Sequence, residues 1–224
     1  TAGKAVLYLE STGNGNCLAA SGVVNLTFTP APTIDAGVNQ TVCANNANAT
    51  VNASFTNSAG VRWTNKTGSF NSTSNPVVYA PTNAEKTAGV ATLYATTNGV
   101  GNCLEVTDSL VLTIVSSPVV EAGSPLSSCA NNPSVNLGGS VLTYQGVGTG
   151  IWSNGLGSIA PASDALTGVY TPTSSEIANG SVNLILGSTN NGICNAVSDN
   201  VTLTIGTAPT VNAGADQTKC ANNP

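Results

Sequence analysis

The chain contains no histidine and no methionine, and charged residues make up only 7% of its 224 positions. Each shortage excludes something. Without histidine there is no imidazole to activate a serine or cysteine nucleophile, and no imidazole ligand for a transition metal. Five Lys and Arg against ten Asp and Glu give a net charge of −5, which offers no basic footprint for nucleic acid or an anionic membrane. No apolar run reaches the ~20 residues a membrane helix needs, so no membrane insertion is expected. No signal peptide opens the chain, and the missing methionine places the initiator elsewhere, so a window of a longer or processed polypeptide is expected. Aromatics are 4%. What fills the sequence instead is 28 Asn, 29 Thr and 23 Ser, over a third of all positions.

Internal repetition is the dominant signal. Thr1–Pro32, Thr87–Pro118 and Ala178–Pro209 align without a gap, and each is followed by a shared block: TIDAGVNQTVCANN, VVEAGSPLSSCANN and TVNAGADQTKCANN. Cys17, Cys103 and Cys194 therefore stand 86 and 91 residues apart, as do Cys43, Cys129 and Cys220. A period near 90 residues is too long for a solenoid unit and suits a small domain in an array. The expected division is 1–31, the C-terminal part of one repeat; 32–117 and 118–208, two whole repeats; and 209–224, the start of the next.

Each repeat has the pattern of strands. Ala91–Thr97, Ser109–Ile114, Val182–Gly187 and Asn200–Ile205 alternate apolar with Thr or Asn residues. Gly/Asn clusters at Thr12–Asn16, Asn98–Asn102 and Asn190–Gly192 mark tight turns. Helix signals are nearly absent, the best being one turn at Ser174–Asn179. About seven strands per repeat, with Trp63 and Trp152 on matching strands, predict an all-β chain of tandem immunoglobulin-like β-sandwich domains, head to tail, with the tryptophans in the core. Short joints containing Pro118 and Pro209 leave little hinge freedom.

Six cysteines at repeat-locked positions, with no close CxxC pair, predict disulfides in an oxidising compartment rather than a thiolate metal site. Three pairings are open. Pairing within a repeat would join Cys43 to Cys103 and Cys129 to Cys194. In a sandwich, however, the first cysteine stands at the turn after the first strand and the second at the F–G turn, at opposite ends. The second possibility joins Cys43 to Cys194 across two repeats, the remaining four finding partners in repeats outside 1–224. A third joins cysteines 26 apart, such as Cys103 and Cys129.

Little else carries chemistry. Asp35, Glu121, Asp108 and Asp199 recur near the joints, where carboxylates can bind calcium, but Asn212 replaces the acid in the third copy. Solvated or turn-capping carboxylates are the expected account, and no metal or other cofactor is expected. The acids do not cluster into a glycosidase pair and the hydroxyls lack a base, so no enzyme is expected. Asn-x-Ser/Thr triplets at Asn25, Asn39, Asn48, Asn52, Asn65, Asn71, Asn179 and Asn200 are weak signals in a chain this rich in Asn and Thr.

The combination of AGxxQTxCANN, a strand-borne Trp, VYxPT, STGNGNC and VTDxxxxLTI resembles the long repeat adhesins of Bacteroidota, including SprB-type gliding-motility filaments, and the immunoglobulin- and PKD-like modules of secreted proteins in that phylum. The resemblance covers the whole chain. It implies export by the type IX system, an extracellular cell-surface location, and a role in adhesion or gliding. It also implies that Asp108-Ser109-Leu110 is an O-glycosylation triplet with Ser109 as acceptor, a hydroxyl that the matching Asp199-Asn200-Val201 lacks. The expected function is a non-catalytic structural or adhesive stalk. Its partners would be neighbouring repeats, neighbouring chains in a filament, and a surface or glycan ligand at a distant tip. A spacer or carbohydrate-binding array of a secreted hydrolase is the alternative from another class. A fibre subunit completed by a neighbour's strand is a third.

Overall fold

The computed structural model describes residues 3–65 and 67–222, so the outermost residues of 1–31 and 209–224 lie outside the described residues. The chain divides into two compact units, 1–116 and 117–224.

The first unit opens with a hairpin, β1 (Gly3–Glu10) and β2 (Ser21–Phe28), paired antiparallel from Gly3 opposite Phe28 to Glu10 opposite Ser21. A sandwich follows: β3 (Thr33–Asp35), β4 (Gln40–Cys43), β5 (Ala49–Val51), β6 (Ser54–Thr56), β7 (Gly60–Thr64), β8 (Ser69–Phe70), β9 (Val77–Ala80), α1 (Asn83–Ala88), β10 (Val90–Asn98) and β11 (Thr107–Val115). One sheet has the order β4-β11-β10-β7; the opposing strands pair as β3-β6 and β5-β9-β8. Alternation along β10 and β11 buries Ala91, Leu93, Ala95, Leu110, Leu112 and Ile114. They meet Val51, Val77, Tyr79 and Trp63 in one core.

The second unit repeats this order: β12 (Val119–Glu121), β13 (Leu126–Cys129), β14 (Val135–Gly138), β15 (Ser140–Thr143), β16 (Gly146–Val147), β17 (Thr149–Ser153), β18 (Ser158–Ala160), β19 (Thr167–Thr171), α2 (Ser174–Asn179), β20 (Ser181–Thr189) and β21 (Ser198–Gly206). Its sheets are β13-β21-β20-β17, β14-β19-β18 and β12-β15-β16. Leu137, Trp152, Tyr170, Leu184, Leu186 and Leu203 fill the core. Both units are immunoglobulin-like sandwiches, with strands A′, G, F and C in one layer and A, B, E and D in the other.

The first strand of each sandwich changes layers. β3 pairs antiparallel with β6, whereas β4 pairs parallel with β11, Gln40 opposite Leu112 and Cys43 opposite Val115. The crossover runs through Ala36 and Gly37, whose φ of 90° lies where a Cβ is disfavoured. Asp108 on β11 accepts a 2.9 Å hydrogen bond from the Ala36 amide. In the second sandwich Asp199 accepts from Ala122 at 2.8 Å, beside Gly123 at φ 94°. These amide bonds hold both carboxyls below the usual range. Asp108→Ala and Asp199→Ala are expected to lower the thermal midpoint seen by circular dichroism, while Asp108→Asn, which keeps an acceptor oxygen, loses less.

Each helix closes a corner between strands E and F. Thr82 and Thr173 are reciprocal caps: the hydroxyl receives the amide of Glu85 or Glu176, and that carboxylate receives the threonine amide. Gly89 and Gly180 end the helices at φ 76° and 74°. The carboxylates reach further. Tyr79 donates its hydroxyl to Glu85 at 2.8 Å, and Tyr170 to Glu176 at 2.7 Å. Both tyrosines are fully buried, and a Cβ at Gly68 would run into the Tyr79 hydroxyl.

Candidate functional site

The repeat-locked cysteines fall into two structural classes. Cys17, Cys103 and Cys194 occupy F–G turns, where the cysteine amide bonds the carbonyl three residues earlier: Asn14 at 3.0 Å, Val100 at 3.2 Å and Asn191 at 3.1 Å. The second residue of each turn is glycine (Gly15, Gly101, Gly192) with φ near 60°, as such a turn requires. Cys43 and Cys129 end β4 and β13 and begin a reverse turn closed by Asn46 and Asn132 at 2.8 Å. Cys220 stands at the matching place in 209–224 and donates to the Asn222 side chain at 2.7 Å.

The strand-end cysteines share a carbonyl neighbour. Cys43 Sγ lies 3.7 Å from the Ser116 oxygen, and Cys129 donates to the Thr207 oxygen at 3.6 Å, in each case just past the end of strand G. Cys103, from the other class, donates to the Pro30 oxygen at 3.8 Å and lies 3.4 Å from Thr29 Oγ1. Pro30 corresponds to Ser116 one repeat on. The F–G turn of the first sandwich thus stands at the end of β2, where Asn57 also donates to the Ala31 oxygen at 2.9 Å.

Cys43 and Cys194 are each half-cystines. Cys17, Cys103, Cys129 and Cys220 carry free thiols. This excludes both within-repeat pairs, Cys43–Cys103 and Cys129–Cys194, and all pairs 26 apart, each of which needs a cysteine that is a thiol here. Strand geometry gives the reason. Cys43 is level with Val115, while Cys103 lies beyond Thr107 at the other end of the same strand. Eight residues at ~3.3 Å separate those ends by roughly 26 Å, against the ~7 Å limit for a disulfide.

The other residues of interest are engaged in structure. Asp35 accepts from the Gly37 amide at 2.8 Å, Asn212 from Gly214 at 2.8 Å, and Asp108 and Asp199 pin the layer crossings. Glu121 ends β12 on the exposed side. Among the described residues no group of three or more Cys, Asp and Glu gathers as a cation site, and no helix is long and apolar enough to cross a membrane. Trp63 and Trp152 are buried, their indole N–H groups donating to Asn75 Oδ1 at 3.1 Å and the Leu166 oxygen at 3.3 Å. Ser109 is exposed on β11 opposite Tyr94, its neighbour Leu110 buried and Asp108 taken up by Ala36. The Tyr–Glu corners went unpredicted, although the spacing Tyr79-x-x-Thr82-x-x-Glu85 recurs as Tyr170-x-x-Thr173-x-x-Glu176.

The fold defines a chain of tandem immunoglobulin-like domains. No family model and no curated protein matches the sequence. Among solved structures, extracellular domains 3–5 of Drosophila OTK are similar over 84% of this chain and 70% of theirs, at 12% identity and a TM-score of 0.40. Drosophila N-cadherin EC1–4 is similar over 92% of this chain and 58% of that one, at 14% identity and 0.40. The insect immune protein hemolin is similar over 79% and 47%, at 11% identity and 0.40. This chain spans about half the length of several such structures.

Proposed function

We propose that this chain is a stretch of a non-catalytic stalk in a long extracellular surface filament, built from repeats 32–117 and 118–208 and flanked by parts of two more in 1–31 and 209–224. The observation that carries the proposal is the bonding state of the cysteines. The two half-cystines lie in different repeats, one at a strand end and one in an F–G turn, while their counterparts within each repeat are thiols. On this reading the two pair with each other, and a cross-link between repeats serves an array that must bear tension. Non-reducing peptide mapping is expected to recover a Cys43–Cys194 peptide; one joining Cys43 to Cys103 overturns that pairing.

The surface supports the same reading. Thr, Ser and Asn keep the outward strand positions wet without long side chains, and five Lys and Arg leave few sites for trypsin-like proteases. Both tryptophans are buried and offer no face to a sugar ring, which weighs against a carbohydrate-binding array built on them. The sequence resemblance supplies the finer proposals: a gliding or adhesion filament of the Bacteroidota kind, type IX export, and Ser109 as a glycan acceptor. Electron microscopy of the native protein tests the stalk. The expected image is a continuous thin fibre with an axial repeat of roughly 35–45 Å, about one sandwich's strand length. Beads ending in a globular head overturn it.

A further inference from the structure

The two E–F corners share their tyrosine, threonine and glutamate but not their surroundings. In the second sandwich the loop after β17 closes on the corner, where the Leu156 amide donates to Glu176 at 2.7 Å. The matching amide of the first sandwich, that of Thr67, turns instead to Asn65 Oδ1 at 2.7 Å. Beside Glu85 lies a cavity of about 240 Å³, lined also by Asn65, Thr67, Val90, Thr92 and Tyr94. Thr67, Val90, Thr92 and Tyr94 stand where the second sandwich has Leu156, Ser181, Asn183 and Ile185. The sandwich folds with either set, so the fold alone does not account for the first.

The lining mixes carbon surface with groups that bond hydroxyls. Tyr94 is 38% exposed and Val90 45%, both on the outward face of β10. The hydroxyls of Thr92 and Tyr94 make no hydrogen bond among the described residues, so each can both donate and accept. Glu85 adds a carboxylate, held in its ionised form, which accepts from O–H or N–H groups. At about 240 Å³ the cavity is smaller than the ~300–1,000 Å³ of sites for drug-sized ligands, and it suits a single ring. A pyranose has that size and that chemistry. Its ring carbons present C–H groups to an aromatic face, its hydroxyls donate and accept, and it brings no negative charge against Glu85. A small ammonium ion would meet the carboxylate and leave most of the cavity unfilled.

We propose that this cavity binds one neutral pyranose unit of a glycan, its C–H face on Tyr94 and its hydroxyls on Glu85, Thr92 and Thr67. The site belongs to the first sandwich alone and stands independently of the stalk reading. It gives one repeat a recognition role that its neighbour, with Ile185 and Leu156 in place of Tyr94 and Thr67, does not share.

The test is an amide NMR titration of the full chain with methyl β-d-glucopyranoside and with methyl β-d-galactopyranoside. Saturable shifts are expected at Thr67, Gly68, Thr92 and Tyr94 with at least one of the two, half-saturating at about 1–10 mM, as a single ring should. Leu156, Gly157, Asn183 and Ile185 are the internal control and should not follow. Tyr94→Ile and Thr67→Leu each install the second sandwich's own residue. Each is expected to weaken binding about tenfold without moving the thermal midpoint seen by circular dichroism. Thr67→Leu, at an exposed position, decides the matter where Tyr94→Ile lowers that midpoint. Methylammonium chloride is the competing probe. Tighter saturation by it than by either sugar, matching shifts at the control residues, unchanged affinity in a folded variant, or no saturable shift with either sugar up to about 100 mM overturns the proposal.

Discussion

Replacing Trp152 with alanine is expected to cost the second sandwich about 3–5 kcal/mol. A domain of about 90 residues holds on the order of 5–15 kcal/mol in all, so this one truncation brings it near unfolding. The indole is 3% exposed, and Gly139 makes room for it: a Cβ there would lie 2.8 Å from Trp152 Cζ2 and 2.6 Å from Leu186 Cδ2. Surrounding strands cannot close over the gap without breaking the β17–β20 register, in which Trp152 faces Leu186. The variant carries its own control, because Trp63 becomes the only tryptophan and reports the first sandwich. Urea unfolding by circular dichroism should show an early transition that Trp63 fluorescence does not follow. Coincident shifts in both signals would mean that the two sandwiches unfold as one.

Acid is expected to weaken both sandwiches through their E–F corners. At Glu176, burial pushes the carboxyl up, but bonds from the Leu156 and Thr173 amides and the Tyr170 and Thr173 hydroxyls outweigh it and hold the carboxyl below its usual range. Glu85 is held low by the same balance of burial against bonds from Thr82, Tyr79 and Thr67. A carboxyl lowered in the folded state contributes stability that is complete above its unfolded pKa, near 4.3 for glutamate, and lost as pH falls through the folded value. Urea midpoints should therefore hold from neutral pH to about 5 and drop below about 4. Glu85→Gln/Glu176→Gln should start lower at neutral pH and fall less in acid. Glu176→Ala strands several buried donors, at roughly 1–3 kcal/mol for each one left unpaired. The alkaline side mirrors this: burial and then Glu176 push the Tyr170 phenol up to about 12, so its contribution is whole below about 10 and fades as pH rises through 12.

Where periodicity ran long enough, the fold was legible before the structure. The expected strands Ala91–Thr97 and Ser109–Ile114 lie inside β10 and β11, and Val182–Gly187 and Asn200–Ile205 inside β20 and β21. The helical turn at Ser174–Asn179 coincides with α2. Its partner α1 was missed, although Thr82 and Glu85 form the same capping box, because Asn83–Ala88 lacks the apolar residue that Ile177 supplies in α2. The division of the first strand into β3 and β4 was not legible: segments of three and four residues are too short for alternation to show a change of layer. The Asp108–Ala36 bond spans 72 residues and no local pattern announces it. Cysteine connectivity was narrowed by strand geometry but not decided, since composition and spacing say nothing about which turn stands beside which strand end.

The parallel pairing of β4 with β11 has a mechanical consequence. The polypeptide enters each sandwich through the short first strand, passes into strand A′, and leaves from the far end of strand G. Tension on the two termini therefore pulls these neighbouring strands in opposite directions along their own length. The four residue pairs from Gln40–Leu112 to Cys43–Val115 are loaded together, in shear, rather than peeled apart one after another. Rupture then requires the whole patch to fail at once, and it recurs at Leu126–Leu203 to Cys129–Gly206. Where no disulfide carries the load past these two strands, each sandwich thus holds its own clamp against extension.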